Sequence, residues 1–362
     1  IASAFLLKSL HELAPRGCLA YLMPLEFLNT GYGETVKQAL LDKGRLKALL
    51  RIEPESEVFP DAITSVGIIL VSDDGTHEPV KFCTVQTLDQ LERNLSDLPC
   101  RSVPTEELRP ADKWLRHFEE PCALDRGSLQ PLSMYGSFSR GIATGANEFF
   151  LLSKCDAAKW ELPTSILHPC ISRSSQIKQA LITDADIERL IEKDERVLLV
   201  DLSSSQEEAV KEYIDFGERQ GFDKRYLTRM RNPWFKLERR QPSPILFGVF
   251  SRNGFKVIRN KSRAVSLTCF HCFYPNLFGA RFVDHLFLYF CSSVGQRIMA
   301  REVRKYGDKL DKFEPHDLNN ALVPSPEWFA RISENVIIEK VACVSRGGAA
   351  SGMRGLFDDL IG

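Results

Sequence analysis

The sequence predicts an α/β domain followed by a mixed α+β domain, and three observations carry this prediction. Helical and strand patterns alternate over residues 1–73. The stretch TSVGIILVS at 64–72 is β-branched and apolar throughout, which is typical of a strand covered on both faces. From residue 131 onward short strand patterns dominate, with helical patterns between them.

The first domain is predicted from alternating elements with short connections. The predicted elements are a helix at 2–14, a strand at 18–23 stopped by Pro24, a helix at 33–43, strands at 46–52 and 64–72, an edge strand at 80–86, and helices at 88–96 and 105–118. Such an order implies a sheet with helices on its faces. We assign residues 1–118 to this domain.

Residues 119–130 are predicted to be a linker, because they contain Pro121 and Gly127 and show little periodicity. The second domain is assigned to 131–330, with a final helix and a loose tail at 331–362. Its predicted strands are 138–152, 197–202, 244–250, 254–259 and 264–274, and its predicted helices are 183–194, 206–220, 280–303 and 326–342.

Composition narrows the class of protein. The chain has 362 residues, 44% of them hydrophobic and 26% charged, which are ordinary globular values. No apolar run approaches the roughly 18 residues of a membrane span, so we expect no membrane partner and a cytoplasmic location. The ten cysteines are expected to be reduced thiols, and Cys269 and Cys272 have no second pair nearby, so no metal site is expected. Because a helical pattern begins at Ile1 itself, we expect the chain to be a C-terminal fragment.

The distribution of charge is more informative than the net charge of −1. Residues 183–218 contain twelve acidic and four basic residues, whereas 219–281 contain fourteen basic and two acidic residues. A basic segment of this kind is the first requirement for binding a polyanion. A solvated basic face without a partner is the alternative interpretation.

Several motifs occur in a fixed order along most of the chain. They are AFLLKSLHELAPRGCLAYLMPLEFL at 4–28, LKALLRI at 46–52, EVFPDAITSVGIILVSDDG at 57–75, SRGIATGANEFFLLS at 139–153, RNPWF at 231–235, FYPN at 273–276 and YGDKLDKFEPHDLNNALVP at 306–324. Together they resemble the gamma class (Taq type) of adenine-N6 DNA methyltransferases. The resemblance implies the C-terminal part of a Rossmann-like class I methyltransferase sheet, followed by a DNA target-recognition domain.

The resemblance also implies a reaction. Enzymes of this family transfer a methyl group from S-adenosylmethionine to adenine N6 in duplex DNA, as parts of restriction–modification or phage-defence systems. This sequence contains neither a Gly-rich cofactor loop nor the family's Asn-Pro-Pro-Tyr motif. We therefore expect no catalytic residue within the chain, a cofactor bound mainly by the N-terminal part, and no methylation by this chain alone.

Candidate cofactor and base contacts follow from the family's pattern. Phe5 matches a position that packs against the adenine ring of S-adenosylmethionine, and Pro24 resembles the loop closing that side of the pocket. Extruding a base from the duplex requires aromatic stacking to hold it. Tyr135 and then Phe138 are the stacking candidates. Each of the four also has a purely structural alternative. Phe5 would be a helix residue facing the sheet, Pro24 would only end a strand, and Tyr135 and Phe138 would be aromatic residues in the core of a strand.

DNA contacts are expected in two places. The glycine-containing stretch 140–147 would let backbone approach phosphate, although a plain hairpin explains it equally well. The basic segment interleaves cations with aromatics and would supply phosphate contacts. Trp234 is open to two interpretations, core or base stacking. The candidates are Arg140, Thr144, Asn147, Arg173, Arg231, Trp234, Arg239, Arg240, Lys256, Arg259, Lys261, Arg263, Lys309 and Lys312.

Two other functions compete with the methyltransferase. A non-catalytic DNA-binding specificity module would explain the missing motif. An RNA or protein methyltransferase is the third alternative, against which the length of the second domain argues. For the leading hypothesis the expected partners are duplex DNA, bound by a monomer, and a restriction nuclease as a domain or subunit.

Overall fold

The structure is a computed structural model that describes residues 2–52, 66–92, 95–118, 129–251, 254–300, 304–306 and 310–345. The chain forms two compact units. Unit 1 comprises residues 1–123 and 300–312, and unit 2 comprises 124–299 and 313–362. The segment 300–312, which the sequence patterns placed in the second domain, thus groups with unit 1. The predicted linker at 119–130 lies mostly outside the described residues, as does the tail after 345.

Unit 1 is built on a five-stranded mixed sheet. Its elements are α1 (Ala2–His11), β1 (Cys18–Pro24), α2 (Glu34–Leu41), β2 (Leu46–Ile52), β3 (Val66–Ser72), β4 (Val80–Val85) and β5 (Cys100–Val103). The strand order is β1-β3-β2-β4-β5. Both β1 and β2 run antiparallel to β3, and β2 is parallel to β4. The predicted α/β sheet is therefore present, with its strands and first two helices close to the predicted positions.

Apolar side chains cover both faces of this sheet. Leu6 and Leu10 of α1 and Val36 and Leu40 of α2 pack with strand residues on one face. On the other face Leu50 belongs to a smaller cluster of buried side chains. This two-sided burial explains why β2 and β3 read as continuous apolar runs in the sequence.

Three expectations for unit 1 are wrong. The strand at 80–85 is interior, because β5 pairs with it and forms the edge. The helices expected at 88–96 and 105–118 are short 3₁₀ turns, such as Leu88–Glu92 and Leu115–Phe118. The cysteines are not all thiols, since Cys83 and Cys100 form a disulfide. These two residues are directly paired across β4 and β5, a proximity that sequence spacing does not reveal.

Unit 2 contains most of the remaining elements. Its strands are β6 (Leu129–Pro131), β7 (Gly136–Arg140), β8 (Leu151–Leu152), β9 (Leu167–Ile171), β10 (Leu181–Ile182), β11 (Leu198–Val200), β12 (Ile245–Gly248), β13 (Phe250–Ser251), β14 (Val257–Asn260), β15 (Val265–Ser266) and β16 (Phe270–Pro275). Its helices up to residue 300 are α3 (Asn147–Phe150), α4 (Lys154–Lys159), α5 (Asp184–Glu192), α6 (Glu208–Arg219), α7 (Val283–Cys291) and α8 (Ser293–Ala300).

The last elements divide between the two units. In unit 1, β17 (Arg304–Tyr306) and β18 (Leu310–Lys312) form an antiparallel pair. Unit 2 ends with α9 (Pro315–Asn319), β19 (Leu322–Pro324), α10 (Pro326–Phe329) and α11 (Glu334–Ser345). Strand β19 pairs antiparallel with β6, which ties the end of unit 2 to its beginning.

Two sheets organise unit 2. One has five strands in the order β10-β14-β12-β16-β7, and the other has four strands in the order β15-β9-β11-β8. The chain passes from the first sheet to the second between β7 and β8, where the sequence predicted one continuous strand at 138–152. A turn and helix α3 interrupt that strand. This interruption creates the local structure on which the candidate site is built.

A search of the described residues finds no helix that is long and apolar enough to cross a membrane.

Candidate nucleic-acid interface

The turn between β7 and α3 is held by close backbone contacts. A Cβ atom on Gly141 would lie 2.1 Å from the backbone oxygen of Leu267, so no other residue fits there without a shift of the backbone. Gly145 has a φ of +80°, in the left-handed region that favours glycine. Between them Thr144 is buried, and its hydroxyl oxygen accepts a hydrogen bond from the backbone N–H of Ala146 at 3.2 Å. The two glycines of the predicted motif are thus required by geometry.

Arg231, which belongs to the basic segment, hydrogen-bonds to the turn. Its guanidinium donates to the backbone oxygens of Ala143 at 2.5 Å and Thr144 at 2.7 Å. Burial lowers its pKa, opposed by the nearby Glu238 carboxylate. One oxygen of Glu238 accepts a hydrogen bond from the backbone N–H of Ala143 at 3.2 Å, and the other accepts one from Arg240 at 2.9 Å. The Arg231 cation and the Glu238 anion therefore fix the backbone C=O and the backbone N–H of the same residue, Ala143.

Residues 224–231 lie directly against this turn. The Cβ position of Gly145 would be 2.8 Å from the Cβ of Leu227. Arg225 forms an ion pair with Glu148 at 2.6 Å, which lowers the pKa of that carboxylate. We call residues 140–148 and 224–231 together the Arg229 surface. It joins two stretches of sequence that are more than seventy residues apart.

Five of the predicted phosphate-binding cations are instead engaged within the protein. Arg240 bonds to Ser139 and Glu238, and Arg239 forms an ion pair with Asp201 at 3.0 Å. The other three engage partners near β14: Arg259 pairs with Asp284, Arg263 pairs with Asp184, and Lys256 donates to the backbone oxygen of Ser174. A role of these five residues in binding phosphate stays a prediction, in which a phosphate would compete with the partners named here.

The physical reason is that the acidic stretch 183–218 partly neutralises the basic segment that follows it. Asp184 and Asp201 of the acidic stretch are the partners of Arg263 and Arg239. Glu218, at the end of that stretch, accepts a hydrogen bond from the Trp234 indole at 3.0 Å. The asymmetry of charge along the sequence is therefore smaller in space than in the linear chain.

Other predicted cations remain exposed. Arg140 at the end of β7, Arg173 and Lys261 are exposed, and none forms an ion pair with any residue that the structure describes. Asn147, the first residue of α3, is also exposed and bonds through its side-chain oxygen to Thr144. Lys312 lies in β18 of unit 1, whereas Lys309 lies outside the described residues. Of the predicted set, the Arg229 surface thus brings together Arg140, Thr144, Asn147 and Arg231.

The aromatic candidates for base stacking lie in the core of unit 2. Tyr135 is fully buried among Phe278, Phe282 and Phe329, and its hydroxyl donates to the backbone oxygen of Pro324 at 2.7 Å. Burial raises its pKa well above the usual range.

Phe138 is also core, packed against Phe247, Phe273 and Phe290. Trp234 packs beside Phe149 and Phe150. The burial of Tyr135 and Phe138 fits their structural alternative as core aromatics. Trp234 is only partly buried against a core cluster, and its base-stacking role stays a prediction.

The candidate cofactor residues lie in unit 1. The Phe5 side chain on α1 is 62% exposed, so it does not face the sheet, and Pro24 ends β1. After β1 the chain turns through residues 25–33, at the carboxyl end of the strand, where open α/β sheets bind ligands. There Asn29 is buried, and among the described residues neither its amide nitrogen nor the hydroxyl of Thr30 has a hydrogen-bond partner.

The structure adds residues that the sequence patterns did not single out. Tyr226 and Met230 of the Arg229 surface are exposed apolar side chains within the basic run KRYLTRMR at 224–231. The run was visible as a basic stretch, but its apolar residues are indistinguishable from core residues without knowledge of burial. Leu277 is likewise almost completely exposed, on a turn held by the Asn276 side chain.

Comparisons with known proteins agree with this architecture. The family described as the C-terminal domain of the Type II methyltransferase M.Eco57I matches residues 122–361. Type II methyltransferase M.AccI from Acinetobacter calcoaceticus is 35% identical over 329 residues, covering 88% of this chain and 61% of the relative. Type II methyltransferase M.XamI from Xanthomonas campestris pv. amaranthicola is 24% identical, covering 85% of this chain and 57% of the relative. The chain thus spans about 60% of the length of these curated relatives.

A solved structure shares the fold. The Type IIL restriction–modification enzyme MmeI, determined in complex with DNA, superposes over 95% of this chain and 44% of its own with a TM-score of 0.57. The sequence identity is 11%, so this likeness concerns the fold alone. Together, the extent of the family match and the identity with M.AccI identify the family of this chain. The chain belongs to the family of the C-terminal domain of the Type II methyltransferase M.Eco57I.

Proposed function

We propose that this chain is part of a site-specific DNA methyltransferase of a restriction–modification system. The observation that carries the proposal is the 35% identity with a Type II methyltransferase over 88% of the chain. The reaction proposed is transfer of a methyl group from S-adenosylmethionine to adenine N6 in duplex DNA, as the resemblance to the gamma class implies. We expect the protein to act as a monomer on DNA in the cytoplasm, beside a restriction nuclease domain or subunit.

The sheet of unit 1 is proposed to be the closing part of a Rossmann-like class I methyltransferase sheet, within a domain covering 1–118. Strands β1 and β2 both run antiparallel to β3, so they are parallel to each other, and α2 lies between them in sequence. A helix linking two parallel strands is the building unit of α/β sheets. Within the described residues β1 pairs with β3 alone, which leaves one edge for further strands.

The residues present fit one side of a cofactor site. Phe5 offers an exposed ring for stacking on a purine. In the loop after Pro24, the Asn29 amide nitrogen and the Thr30 hydroxyl have no hydrogen-bond partner among the described residues. When bound, S-adenosylmethionine would supply the methyl group. The role of this chain would be to cover the cofactor with Phe5 and Pro24 and to donate or accept hydrogen bonds at residues 29 and 30.

Unit 2 is proposed to be the target-recognition domain, with its functional limits at 131–330. The Arg229 surface is the proposed site of phosphate contact, through Arg140, Thr144 and Asn147. Arg173 and Lys261 extend the proposed contact near β9 and β14. Their exposure and lack of ion pairs among the described residues support this assignment, because phosphate contact requires a cation that is not already neutralised.

A single experiment tests the activity. DNA from a host carrying the complete gene, and from the same host without it, is read by single-molecule sequencing for modified adenines. We expect one methylated adenine motif that depends on the gene. Methylation of cytosine would contradict the proposed target atom.

The alternative function is a non-catalytic DNA-binding specificity module, favoured by the absence of Asn-Pro-Pro-Tyr from this sequence. The same experiment, together with the measured binding of the chain to labelled duplex DNA, RNA and peptide, separates the two functions. Gene-dependent DNA binding without any methylated motif would overturn the methyltransferase and support the module. Preferential binding of RNA or peptide over duplex DNA would contradict both.

A further inference from the structure

The Arg229 surface displays large apolar side chains to solvent. Tyr226 is 69% exposed and Met230 is 72% exposed, and they lie four residues apart in one short segment. A cluster of exposed apolar groups surrounded by polar residues is typical of a binding surface.

The segment that carries them is held in place by its neighbours. Thr228 is fully buried, and its hydroxyl lies within hydrogen-bonding distance of the backbone oxygens of Phe222, at 2.5 Å, and Arg225, at 3.1 Å. The backbone N–H of Arg229 donates to the Arg225 oxygen at 2.9 Å, and that of Arg231 donates to Thr228 at 3.0 Å. The Arg231 side chain then joins the segment to the turn at 143–144. Tyr226 and Met230 therefore project from a preformed support, which reduces the entropy lost on binding.

Charge identifies the kind of partner. The run 224–231 contains four basic residues and no acidic residue. Arg225 is neutralised by Glu148, but Arg229 forms no ion pair within the described part of the chain and lies over the Tyr226 ring at 5.4 Å. Arg140, which is exposed, adds a positive charge at the start of the turn that Arg231 holds. A partner that matches both the positive charge and the exposed apolar side chains presents dense negative charge beside flat apolar surfaces. Duplex DNA does so with its phosphates, sugars and bases.

We propose that Tyr226 and Met230 contact the sugars and bases of duplex DNA while Arg229 contacts a neighbouring phosphate. The inference rests on the proposed function, and it names residues that give affinity through apolar contact. Apolar side chains that wedge against base steps bind DNA in other architectures, and an aromatic ring can stack on any base. Such contacts differ from phosphate contacts because they release no counterions, so they do not depend on salt.

This difference supplies the test. The full chain and its variants are titrated with a short fluorescein-labelled duplex of mixed sequence, and the dissociation constant is measured by anisotropy from about 50 to about 200 mM salt. We expect Tyr226→Ala and Met230→Ala each to weaken binding about tenfold, with the salt dependence unchanged. Arg229→Ala is expected to reduce the slope of log affinity against log salt by about 1.

Two controls accompany these variants. Tyr226→Phe keeps the ring and is expected to bind like the unsubstituted protein. Ile338→Ala removes an apolar side chain of 59% exposure from α11, elsewhere in unit 2, and is expected to leave affinity unchanged. Circular dichroism of all variants should match, because none of the substituted side chains is buried.

The outcomes separate this inference from the proposed function. If the unsubstituted chain shows no salt-dependent DNA binding, the proposed DNA-binding role and this inference both fail. If it binds with steep salt dependence while Tyr226→Ala and Met230→Ala bind equally well, only the inference is overturned. If those variants instead alter sedimentation of the chain without altering DNA affinity, the surface is a protein interface and the inference is overturned.

Discussion

Replacing Arg231 by alanine should loosen the turn that joins the two sheets of unit 2. The guanidinium donates to two consecutive backbone oxygens, those of Ala143 and Thr144, at 2.5 and 2.7 Å. No other side chain is recorded as donating to either oxygen among the described residues. Arg231→Ala therefore removes both hydrogen bonds at once, and the two carbonyl groups must then accept hydrogen bonds from water.

The expected loss follows from these two contacts. A hydrogen bond from a charged donor contributes about 1.5–3 kcal/mol to the free energy of unfolding. Arg231 is only half-buried, so water can reach the abandoned oxygens, and we take the low end of that range for each. For two bonds the predicted destabilisation is about 3 kcal/mol. Arg231→Lys should lose about half of this, because one ammonium cannot reproduce the planar fork.

Urea unfolding followed by circular dichroism measures the loss, and hydrogen–deuterium exchange at residues 143–147 locates it. The matched control is Arg229→Ala, which removes the same side chain two positions away from an exposed site without an ion pair among the described residues. That control should change the free energy of unfolding by no more than about 0.5 kcal/mol. Equal effects of the two alanine variants, or unchanged exchange at the turn in Arg231→Ala, would refute the reasoning.

Two further predictions concern backbone strain and pH. Gly145→Ala should destabilise the protein more than Gly221→Ala. Both positions have a φ near +80°, which costs about 1–2 kcal/mol for alanine, but only at 145 would the new methyl group meet Leu227, at 2.8 Å. Equal unfolding free energies of the two variants would show that the clash is relieved. His117 is buried against Phe82 and burial lowers its pKa to about 4. Below the pKa of about 6.5 that His117 has in the unfolded chain, the unfolded chain binds more protons than the folded one. The free energy of unfolding should therefore fall as the pH is lowered from about 6.5 to about 4. His117→Phe should remove that component of the urea-unfolding profile, and an unaltered profile would count against it.

Sequence patterns were sufficient for elements that are both regular and strongly patterned. The strands at 18–23, 46–52 and 64–72 were located to within two residues. For 46–52 and 64–72, burial on both faces leaves an uninterrupted apolar signature. The strand at 18–23 is partly exposed, and it was located from its short apolar run and from Pro24. The interruption of the expected strand at 138–152 could not be located this way. It depends on the approach of Gly141 to Leu267, a contact between segments far apart in the chain.

The candidate site shows the same division. The sequence identified Arg140, Thr144, Asn147 and Arg231, which the structure gathers around one turn. It could not distinguish cations with acidic partners from those without, because Asp201 and Arg239 are nearly forty positions apart. Nor could it separate the buried Tyr135 from the exposed Tyr226, since both are tyrosines beside apolar residues.

By itself, then, the sequence determined the strongly patterned helices and strands, the family and the presence of a basic segment. These properties depend on local periodicity and on motif order, and both can be read from the linear sequence. Tertiary structure alone decided which charges neutralise one another and which aromatic rings remain accessible. Both depend on distances between residues remote in sequence, and such distances are set only when the sheets of each unit pack.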